Sequence, residues 1–151
     1  MEQFQRKLNE LFIEIYQSIQ QLGEEALRQV GELNLTMNEM HLIGYAGKSM
    51  PVGITIRELA ERLKIKSPSV TVAVQKLEAK GYVSKMSCML DGRAIRVQLT
   101  RSGRRVVEAY QQCYHRMVTK AISKDTTEEE QVVLLRAARK LNAYFLESAG
   151  E

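Results

Sequence analysis

The chain has 151 residues, of which 44% are hydrophobic and 26% are charged, and its net charge is +4. These proportions are those of an ordinary globular protein with one compact domain, or a small domain with helical extensions. No apolar run approaches the roughly 18 residues of a membrane span, and the first residues lack the pattern of a secretory signal. Cys88 and Cys113 are too few for a disulfide framework. We therefore expect a cytoplasmic protein with no membrane contact.

The positive charge is concentrated in the middle of the chain. Residues 54–105 hold twelve Lys and Arg against four Asp and Glu, a net charge of +8, whereas residues 1–53 and 106–151 carry −3 and −1. A basic block of this kind is typical of a surface that binds phosphates. Because a solvated lysine-rich surface has the same composition, charge alone does not decide between the two.

Two helices are predicted before the basic block. Apolar residues at intervals of three and four indicate a long amphipathic helix from about residue 2 to about residue 30, ended by Gly31. Its stripe contains Phe4, Leu8, Leu11, Phe12, Ile15, Tyr16, Ile19 and Leu22. A second helix of about three turns begins at Thr36. Its inward residues are Met40, Leu42 and Ile43.

Two short helices follow, joined by three or four residues. Thr55 and Glu58 fit a capping box at the start of the first. Ser67 fits the N-cap of the second, with Pro68 in its first turn and Gly81 as the residue that ends it. The buried face of this second helix consists of Val70, Ala73, Val74 and Leu77. Short helices joined in this way form a helix-turn-helix.

A β-hairpin and two long helices complete the chain. Residues 82–86 and 95–99 have strand character, with a turn signal between them at Asp91-Gly92. Thr100 caps a helix that reaches about residue 122, and Thr127 with Glu130 opens a last one to about residue 146. We therefore predict a mainly α fold with a small β-wing, in which a winged helix-turn-helix of residues 35–100 is flanked by helical regions 1–34 and 101–151.

The helical regions are predicted to form a dimer. The N-terminal stripe and a C-terminal one are too apolar for the surface of a free monomer, which favours a two-fold homodimer with an isologous interface. The C-terminal stripe consists of Val133, Leu134, Ala137, Leu141, Tyr144 and Phe145.

The outward side of the helix that begins near Ser67 suits the major groove of DNA. Its residues are small, polar or basic: Ser69, Thr71, Val72, Gln75 and Lys76. The hydroxyls of Ser67 and Ser69 suit phosphates, Gln75 could pair with adenine, and Val72 could pack on a thymine methyl group.

The hairpin offers a second set of candidate DNA contacts. An arginine at its tip, Arg93, could enter a minor groove and be oriented there by Asp91. Lys85 and Arg96 are candidate phosphate contacts. The alternative is an exposed hairpin whose Asp-Gly pair only forms the turn.

Taken together, residues 55–63, 67–71, 77–83 and 91–100 resemble the MarR family of bacterial transcription regulators. The hallmark is Asp91-x-Arg93, then alternating residues to Leu99-Thr100, then Gly103 in the next helix. The resemblance covers nearly the whole chain and implies a helical dimer in which the first and last two helices interlock. It places residues 67–76 at the major groove and Arg93 in the minor groove. Many relatives have a basic residue where this chain has Val72, so their base preference does not transfer.

The resemblance also implies an effector. Members of the family bind small anionic aromatic molecules beneath the dimer helices, where the candidate pocket residues are Tyr16, His41, Tyr45, Tyr110 and Tyr114. The alternative is that these aromatic residues belong to the core. Thr36-x-x-x-Met40-His41 resembles the fatty-acid-synthesis repressors of the family, whose partner is an acylated carrier protein.

A zinc-responsive regulator of the same fold is the first alternative. His41 resembles one ligand position of the zinc-sensing relatives, with Glu24 or Glu25 nearby, but their fifth-helix histidines correspond to Tyr110 and Tyr114 here. About four ligands are needed for a structural zinc site, and they cannot be assembled, so we expect no metal or cofactor. Cys88 is expected to be an exposed wing residue, and Cys113 a small packing residue.

These patterns predict a sequence-specific regulator of transcription, most simply a repressor, that binds double-stranded DNA as a homodimer on a pseudo-palindromic operator. A small molecule or an acyl-carrier partner would be its effector. An enzyme is not expected, because the chain has no nucleophile elbow, phosphate loop or HExxH motif. The second alternative is a winged helix that binds only proteins.

Overall fold

The computed structural model describes residues 1–32, 34–87 and 94–148, apart from the side chain of Ala121. The chain divides into two compact units, Met1–Tyr114 and His115–Glu151. The elements, in chain order, are α1 (Glu2–Gln29), α2 (Met37–Lys48), β1 (Ile54–Thr55), α3 (Ile56–Leu63), α4 (Ser67–Ala79), β2 (Val83–Ser87), β3 (Ile95–Leu99), α5 (Arg101–Asp125) and α6 (Glu128–Ser148). The predicted class, mainly α with a small antiparallel sheet, is confirmed.

Three of the described helices begin at Thr-x-x-Glu capping boxes; the sequence predicts the pairs at Thr55 and Thr127, and at Thr36 only a helix start. At α2, the amide of Glu39 donates to Thr36 Oγ1 over 3.2 Å, and the amide of Thr36 donates to Glu39 Oε2 over 2.9 Å. Each box satisfies amides that a helix start leaves without intrahelical partners. The same reciprocal bonds join the other two pairs, Thr55–Glu58 and Thr127–Glu130.

The start of α4 differs from the prediction by one residue. The N-cap is Lys66 rather than Ser67, and no side chain caps the helix. The Lys66 carbonyl accepts from the amide of Ser69 over 3.0 Å and from that of Val70 over 3.3 Å, so Ser67 is already helical. Pro68 is tolerated in this first turn because amides there have no helical acceptor.

The sheet has three strands in the order β1-β3-β2. The predicted hairpin is confirmed, since β2 and β3 pair antiparallel from Val83 with Leu99 to Ser87 with Ile95. Strand β1 was not predicted, because two residues are too few to show alternation; it adds to the far edge of β3, with Ile54 opposite Val97. The tip of the wing, with the candidates Asp91 and Arg93 and also Cys88, lies outside the described residues.

The hydrophobic core of the first unit lies where α2, α3 and α4 meet the sheet. The inner face of α4 packs into this core through Val70, Val74 and Leu77, as predicted. The fourth predicted residue, Ala73, is only half-buried. The core also contains the predicted residues of α2 together with sheet residues: Met40, Leu42, Ile43, Ile54, Val83 and Val97. This packing leaves the opposite face of α4 exposed.

Each unit also carries an exposed apolar surface. In the first unit this surface belongs to α1 and contains Phe4, Leu11, Ile15, Tyr16 and Ile19. In the second unit it belongs to α6 and contains Val132, Val133, Leu134, Tyr144, Phe145 and Leu146. No helix in the described ranges combines the length and apolar character needed to cross a membrane.

Candidate nucleic-acid interface

The outward face of α4 presents five of the six DNA contacts predicted on this helix to solvent. Ser67 and the other exposed candidates, Ser69, Val72, Gln75 and Lys76, lie on this face. Thr71 is half-buried, and its hydroxyl donates to the carbonyl of Ser67 over 3.1 Å. A base contact by Thr71 would therefore use its methyl group or require the hydroxyl to change acceptor.

The turn between α3 and α4 contributes two cations that sequence reasoning missed. Lys64 ends α3 in the left-handed conformation, with φ 55° and ψ 41°, and Lys66 caps α4. Both side chains are exposed. The left-handed backbone conformation is unfavourable for lysine and is more readily adopted by glycine or asparagine. The only signal in the sequence was their membership of the basic block.

The two predicted phosphate contacts on the wing strands are engaged within the protein. Lys85 Nζ lies 2.9 Å from Glu78 Oε2, and this hydrogen bond lowers the pKa of the Glu78 carboxyl. Arg96 Nη1 donates to the carbonyl of Gly53 over 3.2 Å and lies 3.9 Å from Glu58 Oε2. Part of their charge is therefore compensated before any phosphate approaches.

A turn of three residues, Lys80-Gly81-Tyr82, follows α4 and will be called the junction turn. Lys80 Nζ donates to both carboxylate oxygens of Glu39, at 2.9 and 3.0 Å, and to the carbonyl of Asn34 at 2.6 Å. The Tyr82 hydroxyl donates to the carboxylate of Glu32. The junction turn thus ties the end of α4 to the segment between α1 and α2 and to the first turn of α2.

These contacts shift the pKa of Tyr82 and that of Glu39. Burial, the hydrogen bond with Glu32 and the charge of Glu32 raise the pKa of Tyr82 to about 12. Burial opposes ionisation of Glu39, but the hydrogen bonds from Lys80 and Thr36 outweigh it, and the pKa of Glu39 is lowered. At neutral pH the junction turn therefore pairs an ammonium with a carboxylate and a neutral phenol with a second carboxylate.

The junction turn also contacts the start of α5. The Thr100 hydroxyl donates to the carbonyl of Gly81 over 2.6 Å and accepts from the amide of Gly103 over 3.1 Å. A Cβ at position 103 would overlap the carbonyl oxygen of Tyr82. The Thr-x-x-Gly pattern after β3 is therefore required by a close approach between α5 and the junction turn.

Comparison with known proteins agrees with this arrangement. A sequence model of the MarR family matches residues 33–94, which run from α2 into the wing. The transcriptional activatory protein BadR of Rhodopseudomonas palustris is 28% identical over 105 residues, which are 69% of this chain and 60% of BadR. Over residues 33–94 the chain is therefore similar to the MarR family.

Solved structures show the same fold as this chain. FabT of Streptococcus pneumoniae, solved in complex with DNA, has a TM-score of 0.87 and 24% identity, with 94% of this chain and 97% of FabT covered. A MarR family protein from Bacillus stearothermophilus has a TM-score of 0.82 and 21% identity, with 97% and 98% covered.

Three of the five predicted effector residues line one cavity of about 380 Å³: His41, Tyr45 and Tyr110. Lys48 Nζ and the guanidinium of Arg62 each lie 5.8 Å from the centre of the Tyr45 ring, so the cavity is cationic around an aromatic face.

The remaining two predicted effector residues lie outside that lining. Tyr114 stacks on Tyr110 with ring centroids 5.8 Å apart, while Tyr16 is exposed on α1. Tyr110 itself is buried, and this burial raises the pKa of its hydroxyl.

The structure also places the residues considered for metal binding and redox chemistry. Within residues 1–32, 34–87 and 94–148, no three His, Cys, Asp or Glu side chains are grouped so that they could hold a metal ion. Glu25 is paired with Arg28 at 2.6 Å, and His41 lies on the cavity. Cys113 is buried as predicted, and its thiol donates to Gln29 Oε1 over 3.2 Å.

Proposed function

We propose that this protein is a MarR-family transcriptional repressor that binds a pseudo-palindromic operator in duplex DNA as a homodimer. The observation that carries the proposal is the exposed face of α4, where Ser69, Gln75 and Lys76 stand beside the cations Lys64 and Lys66. Small polar side chains on a helix can reach base edges in a major groove, and flanking lysines can neutralise phosphates. The FabT structure, which contains DNA, supports the same assignment.

The dimer part of the proposal rests on the exposed apolar surfaces of α1 and α6. Helical regions 1–34 and 101–151 would pack against their copies in a partner subunit, and residues 35–100 would form the DNA-binding domain. An isologous interface buries both stripes at once. Sedimentation at micromolar concentration tests this step, and a monomer would contradict it.

The DNA part is tested by selecting duplexes from a random pool and measuring the affinity of the most enriched one by fluorescence anisotropy. We expect a pseudo-palindrome with half-site centres about 10 bp apart, because two α4 helices would enter successive major grooves. Inserting 5 bp between the half-sites rotates one of them by about half a turn. An operator that tolerates this insertion without loss of affinity would contradict the symmetric dimer.

Repression is tested with a reporter gene placed behind the selected operator. BadR is named as an activatory protein, so both directions of regulation are outcomes of the experiment. We expect expression to fall when the protein is present. Salt-independent association with duplex DNA, or none, would instead favour the protein-binding winged helix, because phosphate contacts release counterions and make affinity fall with salt.

We further propose that a small aromatic carboxylate binds the cavity around Tyr45 and releases the operator. Lys48 and Arg62 supply positive charge beside an aromatic face, which fits an anion that carries a ring. Titrating the protein–operator complex with benzoate tests this proposal. Arg62→Gln is expected to weaken benzoate binding. If an acylated carrier protein releases the operator and benzoate does not, the acyl-carrier alternative replaces this one.

A further inference from the structure

The outward face of α4 has two sides with different chemistry. Thr71 and Gln75 lie on one side, where the exposed Gln75 offers a polar amide. On the other side Ser69, Val72 and Lys76 line a hollow of about 300 Å³ that extends to the start of α2 and to the turn before α4. The two sides would face different base pairs of a bound duplex.

The hollow is largely apolar. Leu42, Leu63 and Ala73 contribute to its lining, and two branched aliphatic side chains stand at its exposed part. Val72 is 51% exposed, and Ile65, which precedes the α4 N-cap, is 46% exposed. Phosphates and the polar edges of bases cannot form hydrogen bonds with these aliphatic side chains. The apolar group that duplex DNA presents in its major groove is the C5 methyl of thymine.

The charges around the hollow fit the same occupant. Lys76 lines it, and Lys64 and Lys66 lie exposed on the adjoining turn, so the surroundings attract a nucleic-acid backbone. The one acidic residue of the lining is Glu39, whose carboxylate already accepts hydrogen bonds from Lys80 and Thr36. No uncompensated negative charge of the lining therefore opposes the approach of DNA.

We propose that Val72 and Ile65 are specificity-determining residues that pack against the C5 methyl group of thymine in each half-site. The inference rests on the proposed duplex-DNA binding and adds the chemistry by which one base is selected. Transfer of one carbon group from water to an apolar contact corresponds to about a fourfold change in affinity. Two symmetric half-sites should contribute independently, so losing both methyl groups costs about sixteenfold.

The experiment removes single methyl groups from the DNA. The most enriched duplex from the random selection is synthesised with each thymine in turn replaced by deoxyuridine, which lacks only the C5 methyl. Affinities are measured for the wild type, Val72→Ala and Ile65→Ala. Val52→Ala is the matched control, because Val52 is 64% exposed in the turn before β1 and does not line the hollow. All three side chains are exposed, so these variants retain the core.

We expect one thymine in each half-site at which deoxyuridine weakens wild-type binding about fourfold. That difference should shrink below about twofold in Val72→Ala or Ile65→Ala and persist in Val52→Ala. Duplex binding with no thymine sensitive to loss of its methyl, or with a sensitivity that both variants retain in full, overturns this proposal alone. Absence of duplex binding overturns the proposed function and this inference with it.

Discussion

Lys80 and Glu39 are 41 positions apart, yet the Lys80 ammonium donates to both oxygens of the Glu39 carboxylate, at 2.9 and 3.0 Å. The pair joins the residue that follows α4 to the first turn of α2. Glu39 also caps α2 through Thr36, so one carboxylate fixes a helix start and the end of the helix proposed to bind DNA. The orientation of α4 therefore depends on the first turn of α2.

We expect strong coupling between these two residues. In a double-mutant cycle with Lys80→Met and Glu39→Gln, the coupling free energy of unfolding should be about 1–2 kcal/mol, since the Glu39 side chain is only 9% exposed. The matched control is Arg57–Glu61, whose side chains are 87% and 66% exposed and whose coupling should be at most about 0.5 kcal/mol. Urea denaturation at fixed protein concentration measures both. Equal coupling in the two pairs would contradict a structural role for Lys80.

The junction turn should make stability depend on pH at the alkaline end. The pKa of Tyr82 is about 12 in the folded chain against an ordinary 10. A raised pKa contributes stability that is fully present below pH 10 and is lost as the pH rises to 12, because the unfolded phenol ionises first. Stability of the wild type relative to Tyr82→Phe should therefore fall across this interval. If the difference in stability between the wild type and Tyr82→Phe stays constant across this interval, the Tyr82–Glu32 hydrogen bond does not raise the pKa of Tyr82.

At the acidic end, Glu39 predicts the opposite dependence. Because the pKa of Glu39 is lowered from its ordinary 4.5, its contribution is present above that value and is lost as the pH falls below it. The acid limb of a stability profile should be less steep in Glu39→Gln than in the wild type. Superimposable limbs would contradict the lowered pKa.

The close approach of α5 to the junction turn makes Gly103 hard to replace. Gly103→Ala should destabilise the fold by about 1–3 kcal/mol despite the better helix propensity of alanine, because the added carbon overlaps the Tyr82 carbonyl. Gly44 is the matched control, since a Cβ there meets nothing within 4 Å. Gly44→Ala should stabilise α2 by about 0.5–1 kcal/mol. Thermal or urea unfolding that ranks the two variants in the reverse order would contradict the contact.

Lys64 should show a conflict between stability and binding. Its left-handed backbone, with φ 55°, costs a non-glycine residue about 1 kcal/mol. Lys64→Gly should therefore raise stability by up to about 1 kcal/mol while removing one phosphate contact and reducing the slope of log affinity against log salt by about 1. Lys64→Gln is the control that removes the charge and keeps the strain. If Lys64→Gly is the more stable variant but binds duplex DNA like the wild type, the residue has no role in binding.

Base selection and phosphate binding should depend on different residues in and beside α4. Gln75→Ala should change which bases are enriched within a half-site, with a penalty of about 1–3 kcal/mol at one position. Lys66→Gln should weaken all duplexes alike, because phosphate contacts carry no base information. Lys85→Gln should have a smaller effect than Lys66→Gln, since Lys85 is already paired with Glu78. Affinities for a selected and a scrambled duplex distinguish these outcomes.

The sequence by itself determined the elements whose signals are local. The capping boxes at Thr36, Thr55 and Thr127 join residues three apart, so their partners are visible in the sequence. Gly81 ends α4 with φ +82°, the conformation for which glycine is suited, and strict alternation predicted β3. The exposed face of α4 followed from the 3.6-residue period, because the buried positions fix the opposite side.

Only the tertiary structure decided how these elements restrain one another. Strand β1 exists because Ile54 and Thr55 meet an open edge of β3, and the pairing of Lys85 with Glu78 depends on how β2 returns past α4. The cavity lined by His41, Tyr45 and Tyr110 likewise joins α2 to α5, which are far apart in the chain. A charged or aromatic side chain finds such a partner only after the intervening chain has folded. Periodicity and capping signals extend over one or two turns and therefore contain no information about these contacts.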